Sequence, residues 1–126
     1  MMTFEDYVTI VDTMLQKHWG VIEAQIVPHA FGNKHGTIAG TVKLLDGSYV
    51  DFFEEILITP SAMSKRRYSY QYVKNEAEVF RYDNYPNHPG LRPPYHHKHV
   101  PKKRLTQLKA APKLIDILEE ALRSMF

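Results

Sequence analysis

The stretch TIAGTVKLLDGSYVDFFEEILI, residues 37–58, decides the fold. Apolar and polar residues alternate on both sides of Asp46-Gly47, from Thr37 to Leu45 and from Tyr49 to Ile58. An extended chain points successive side chains to opposite faces, so a period of two marks a strand with one buried side. Asp-Gly suits the tight turn of a hairpin, because glycine takes positive φ without a Cβ clash. The stretch predicts two antiparallel strands joined directly.

The same pattern continues outward. Ile22 to Phe31 reads as a strand, and Pro28, which has no N–H for a ladder, requires an edge position or a bulge there. Gly32 to Gly36 reads as a turn. Downstream, Thr59-Pro60-Ser61 breaks the alternation and a loop runs through Ser64. Arg67 to Lys74 and Val79 to Tyr85 predict two more strands, joined through Asn75-Glu76. Every connection is too short for a parallel crossover, which predicts an antiparallel meander of about five strands over residues 21–85.

Helices flank this sheet. Thr3 reads as an N-cap with Asp6 completing a capping box, and Phe4, Tyr7, Val8, Val11, Met14, Leu15 and Trp19 recur at helical spacing before Gly20. At the other end Pro112 fits a first helical turn, with Leu114, Ile115, Leu118, Ala121, Leu122 and Met125 as the apolar stripe. The expected class is α+β in one domain, 1–126. Its parts are an N-terminal helix (1–20), the sheet (21–85), a Pro/His-rich basic loop (86–111) and a C-terminal helix (112–126).

Composition narrows the chemistry. The 126 residues are 44% hydrophobic and 12% aromatic, enough for a core without metal or disulfide support. There is no cysteine, which excludes disulfides, zinc–thiolate sites and cysteine nucleophiles. No apolar run approaches the ~20 residues that span a bilayer, and the acidic start lacks a signal core. These features predict a soluble cytoplasmic protein with no membrane partner.

The net charge of +2 hides an asymmetry. Between Ser64 and Lys113 cations far outnumber acids, and from Asn84 to Ile115 there is no acid at all. A field of this kind draws polyanions. Tyrosines interleaved with the charge favour nucleic acid over an acidic protein surface or a merely solvated loop.

The chemistry concentrates in Arg81-Tyr82-Asp83-Asn84 and, after Pro86, Pro89, Pro93 and Pro94, in His96-His97-Lys98-His99. In an extended stretch His97 and His99 share a side, with α-carbons roughly 6–7 Å apart. Two imidazoles at that distance suit proton donation and acceptance at one group. Asp83 can orient an imidazole, and Arg81 can hold a phosphate; Lys98 faces opposite its neighbours if the strand is regular. His-x-His is also a metal-ligand spacing, with Asp83 or His88 as a third ligand. Asp83-Asn84 has a structural reading too, as a clamp on the loop at a strand end. Tyr68, Tyr70 and Tyr72 share one strand face, either a stacking platform or core, with Tyr70 nearest the site. Glu54 and Glu55 face opposite sides of the sheet, and one of them is expected either near the histidines or beside a cross-strand cation. His18, His29 and His35 are scattered and carry no assignment.

A Tyr-Asp-Asn on a strand followed by His-x-His with a basic residue between, here Tyr82, Asp83, Asn84, His97, Lys98 and His99, resembles the TumE-like toxins of bacterial and archaeal toxin–antitoxin pairs. The likeness runs back through the tyrosine-rich strand and covers roughly the central half of the chain. Two features stand apart: the Asn84–His97 connection is longer than the Gly-rich link of compact members, and the N-terminal helix reads as an addition. The resemblance implies a ribonuclease acting on RNA and neutralised by a helix-turn-helix antitoxin.

The resulting expectation is an endoribonuclease without a cofactor or a metal. His97, His99, Asp83 and Tyr82 would be catalytic, and Arg81, Lys98, Tyr70, Asn84, Lys102, Lys103 and Arg104 would hold substrate. A non-catalytic nucleic-acid-binding module and a metal-dependent hydrolase using His97 and His99 as ligands remain open, and a homodimer is compatible with the sequence.

Overall fold

Seven strands lie in one antiparallel sheet in the order of the chain, β1-β2-β3-β4-β5-β6-β7. They are β1 (Val21–Ala30), β2 (His35–Leu44), β3 (Tyr49–Ile58), β4 (Met63–Lys74), β5 (Ala77–Asp83), β6 (His97–His99) and β7 (Thr106–Gln107), with helices α1 (Phe4–Lys17) and α2 (Leu114–Arg123) at the two ends. The computed structural model describes residues 1–125. The α+β architecture agrees with the sequence reading, and the count of strands exceeds it by two.

The two extra strands lie within the segment read as an irregular loop. Neither is long enough to show a period. β6 exists because β5 offers a free edge, with Arg81 opposite His99, Tyr82 opposite Lys98 and Asp83 opposite His97, and β7 adds in turn to β6, with Gln107 opposite His97. A second boundary also moves. β4 begins at Met63, because the ladder continues past a bulge at Arg66, with Glu55 opposite Arg67 but Ile56 opposite Lys65. The extra residue breaks the alternation by one, which hides the strand from a period-two reading.

Local chemistry explains the other elements. Asn75 and Glu76 both have positive φ, 53° and 63°, the pattern of a two-residue primed turn between β4 and β5. Gly47 takes φ 86° in the β2–β3 turn. Pro28 lies in β1, the edge strand, as its missing N–H requires. The α1 capping box is formed, with the Asp6 N–H donating to the Thr3 hydroxyl and the Thr3 N–H to the Asp6 carboxylate.

One face of the sheet is covered by both helices. Phe4, Tyr7, Val11 and Leu15 of α1 and Leu114, Ile117, Leu118, Ala121 and Leu122 of α2 meet Ile38, Val42, Val50, Phe52, Ile56, Tyr68, Tyr70, Tyr72 and Phe80 in one core. Each such aliphatic or aromatic side chain, fully buried, stabilises the fold by about 1.5–3 kcal/mol. α1 docks closely, since a Cβ on Gly36 would sit 2.5 Å from the Phe4 ring. Two helical assignments change: α1 ends at Lys17 and leaves Trp19 exposed, and α2 turns Ile117 inward and Ile115 outward.

The other face, which presents Thr41, Asp51, Ser69, Arg81, Asp83, His97 and His99 by register, carries no helix among the described residues. No helix among the described residues is long and apolar enough to cross a membrane.

Candidate functional site

Register builds the cluster. Because β6 pairs with β5, Asp83 and His97 stand opposite one another and Arg81 stands opposite His99, all on the helix-free face. The residues between them in the ladder, Tyr82 and Lys98, point to the helices. There the Tyr82 hydroxyl donates to Glu120 and Lys98 forms an ion pair with Glu120 at 2.7 Å. Both therefore tie α2 to the sheet.

Asp83 is the hub. Its Oδ1 accepts the Tyr85 N–H at 2.9 Å and lies 3.0 Å from His97 Nε2. Its Oδ2 accepts Arg81 Nε at 3.0 Å and lies 3.4 Å from His99 Nε2. The structural and the site readings of Asp83 hold together, since one carboxylate clamps the start of the loop and holds the imidazoles. Asn84 is a clamp as well, accepting the Tyr68 N–H and donating to the Arg66 carbonyl, so its side chain extends the β4–β5 ladder.

His97 is fully buried. Its Nδ1 contacts the Tyr95 carbonyl at 2.7 Å. A carbonyl only accepts, so Nδ1 carries the proton and, in the neutral ring, Nε2 carries the lone pair. That Nε2 faces His99 Nε2 at 2.9 Å as well as Asp83. Three electron-rich atoms cannot meet at these distances unless a proton lies among them. Burial first, and Arg81 next, lower the pKa of His99 below the ordinary histidine value, with Asp83 opposing them. His99 is the more open of the two rings, with 15% of its side chain exposed.

The cluster borders a cleft of about 390 Å³ lined by Ser69, Arg81, Asp83, Tyr85, Asn87 and His88. Arg81 also donates to Glu78 at 3.1 Å and remains partly exposed. His88 is the candidate third metal ligand of the sequence reading, while Tyr85 carries no assignment there, although it directly follows the Asp83-Asn84 pair and is 61% exposed. Ser69 has a signal in hindsight: it alternates with the tyrosines and so shares the opposite face.

Other sequence candidates lie elsewhere. Tyr68, Tyr70 and Tyr72 are core, and the Tyr70 hydroxyl donates to Glu54. Glu54 is the inward carboxylate, but it lies on the helix face, away from the histidines. It accepts from Tyr7 and Tyr70 and pairs with Lys65 at 3.2 Å. Glu55, on the other side, pairs with Arg67 and His35. Lys102, Lys103 and Arg104 are exposed in the turn between β6 and β7, separated from His99 by Val100 and Pro101.

The arrangement can hold a proton between two imidazoles under a carboxylate, beside a partly free guanidinium and an open cleft. Comparison with curated proteins and with solved structures returns no match. A family model described as Toxin TumE matches residues 10–125. That span is wider than the central half and includes the C-terminal part of α1, so this helix is not simply an addition to the family's pattern.

Proposed function

The chain belongs to the TumE toxin family, and from that premise we propose that it is the toxin of a toxin–antitoxin pair and cuts RNA through its two paired histidines. The observation that carries the reading is the contact of His97 Nε2 with His99 Nε2 at 2.9 Å, under Asp83 and beside a cleft. Cleavage at a phosphodiester requires a base for the 2′-hydroxyl proton and an acid for the departing 5′-oxygen. His99, nearer solvent and with a lowered pKa, is neutral and takes the proton. The pair shares it, and the same pair returns a proton to the leaving oxygen. Asp83 orients both rings, and Arg81 stabilises the charge on the phosphate.

Binding follows from the same face. The exposed Tyr85 ring offers a surface for a base to stack on, the role expected of Tyr70. Lys102, Lys103 and Arg104 extend the positive field beyond β6 along the RNA backbone. A toxin is held in check by an antitoxin, and a helix-turn-helix protein is the partner this reading supplies. No cofactor enters the scheme.

The test is incubation of purified protein with labelled total RNA and tRNA, with and without EDTA, beside a His97→Ala/His99→Ala double variant. Cleavage that survives EDTA and disappears in the variant is the expected result. Cleavage retained by the variant overturns the assignment. Tight, salt-sensitive retention of intact RNA would instead identify a binding module.

A further inference from the structure

Proton transfer uses two histidines, yet three converge. His88, carried on the loop after β5, stacks edge-on against both others, with ring centroids 5.2 Å from His97 and 4.9 Å from His99. The His97 and His99 centroids are 4.7 Å apart. One nitrogen from each ring lies within 4.8 Å of the other two. Nothing in the fold requires this. The sheet needs no residue at position 88, and a half-buried loop histidine set against two others adds only like-natured rings.

The electronic arrangement is also unusual. The Tyr95 carbonyl takes the Nδ1 proton of His97 and leaves a lone pair at Nε2 directed at His99 Nε2 and Asp83 Oδ1. A proton can bridge one pair of these atoms at a time. A metal ion accepts from all of them together.

We propose that His88, His97 and His99, with Asp83 as a fourth ligand, form a site for a divalent transition-metal ion of the zinc class, and that the metal-loaded site does not cleave RNA. Imidazole nitrogens bind zinc at about 2.0–2.1 Å, which sets tetrahedral ligand atoms roughly 3.3 Å apart. The His97–His99 contact of 2.9 Å opens by a few tenths of an ångström, and Asp83 Oδ1 is already 3.0 Å from His97 Nε2. His88 closes by more, and it sits on a segment outside any helix or strand, where no ladder of backbone hydrogen bonds fixes its position. The Tyr95 carbonyl then acts as the outer hydrogen-bond partner that fixes the tautomer and direction of a ligating ring. Three imidazoles and one carboxylate favour zinc, cobalt or nickel over magnesium or calcium, which require mostly oxygen.

The consequence rests on the acid–base reading. Metal coordination takes the nitrogen lone pairs that proton transfer needs, so the two uses of the site exclude one another. A toxin with such a site is quiet while it holds metal and active when it loses it.

The experiment separates binding from cleavage. EDTA-stripped, dialysed protein is titrated with Co2+ and followed by its visible ligand-field bands, and with Zn2+ by calorimetry. RNA cleavage is then measured across the same Zn2+ range for wild type and His88→Ala, each against its own metal-free rate. The expected result is one ion per chain, loss of cleavage at the concentration that fills the site, and at least about tenfold weaker binding and inhibition in His88→Ala. Absence of binding, or binding unchanged by His88→Ala, overturns the site and leaves the acid–base reading standing. Binding with cleavage that depends on the metal keeps the site but overturns the exclusion, and the acid–base reading with it.

Discussion

The two faces of the sheet hold nearly the same ingredients in two different states. On the helix face, Glu54 is enclosed with Lys65, Tyr7 and Tyr70. On the open face, Asp83 is gathered with Arg81, His97 and His99. Each group has an acid, a cation and two rings with titratable protons. On the helix face everything is satisfied inside the core: both tyrosines donate to the carboxylate, burial raises their pKa values further beyond reach, and Lys65 completes its bonds on the Pro112 carbonyl. Burial also lowers the pKa of Lys65, against the opposing pull of Glu54. The open-face group has a proton to share and a cleft beside it. A constellation of charged and ring residues is therefore not a site by composition. It becomes one where its protons can reach something outside.

This contrast can be broken by experiment. The largest expected effect is on activity: His99→Ala lowers RNA cleavage by about 10²–10⁴-fold, the range of a general acid–base group, with little change in melting temperature. Next is Glu54→Ala, which leaves the Lys65 ammonium without its buried partner and costs about 3–5 kcal/mol in denaturant unfolding. Cleavage per folded molecule stays near wild type. If Glu54→Ala instead destroys cleavage in molecules that remain folded, the two faces are one functional unit and the comparison fails. The smallest effect sharpens how α1 brings Tyr7 to its network: Thr3→Ala removes the cap and costs about 1 kcal/mol.

The cap also has a defined pH dependence. Hydrogen bonds from Thr3, the backbone one first, lower the pKa of Asp6 below its ordinary value. A lowered pKa means that the folded state prefers the carboxylate. Its contribution is complete above the unfolded pKa and disappears as pH falls through the folded one. Thermal unfolding across the acid range is therefore less steep in pH for Thr3→Ala than for wild type.

Much of this was legible in the residues. Alternation through 37–58 located the central hairpin, and Pro28 restricted its strand to an edge or a bulge, of which the sheet order shows the edge. The same rule put His97 and His99 on one side and Lys98 on the other. It also put the three strand tyrosines on one face, but not which face. The bulge at Arg66 concealed the start of β4, because one inserted residue reverses the parity on which the reading depends. β6 was hidden for a different cause. Three residues hold no period, and its pairing with β5 comes from a free edge at the far side of a proline-rich excursion. His88 was legible only as one of two candidates for a third ligand, beside Asp83, since loop position says nothing of what the loop covers.

The sequence by itself determined the strands of the central meander, the helices at both ends, and the set of side chains from which a site could be made. Those are consequences of local geometry, since period and turn chemistry act over a few residues. Only the tertiary structure decided which sheet face the helices cover, that Asp83 lies opposite His97, and that His88 closes over the pair. Each of these depends on contacts between segments distant in the chain. Such contacts are set by burying the apolar stripes of α1 and α2 against one face, which leaves the other face and its histidines outside the core.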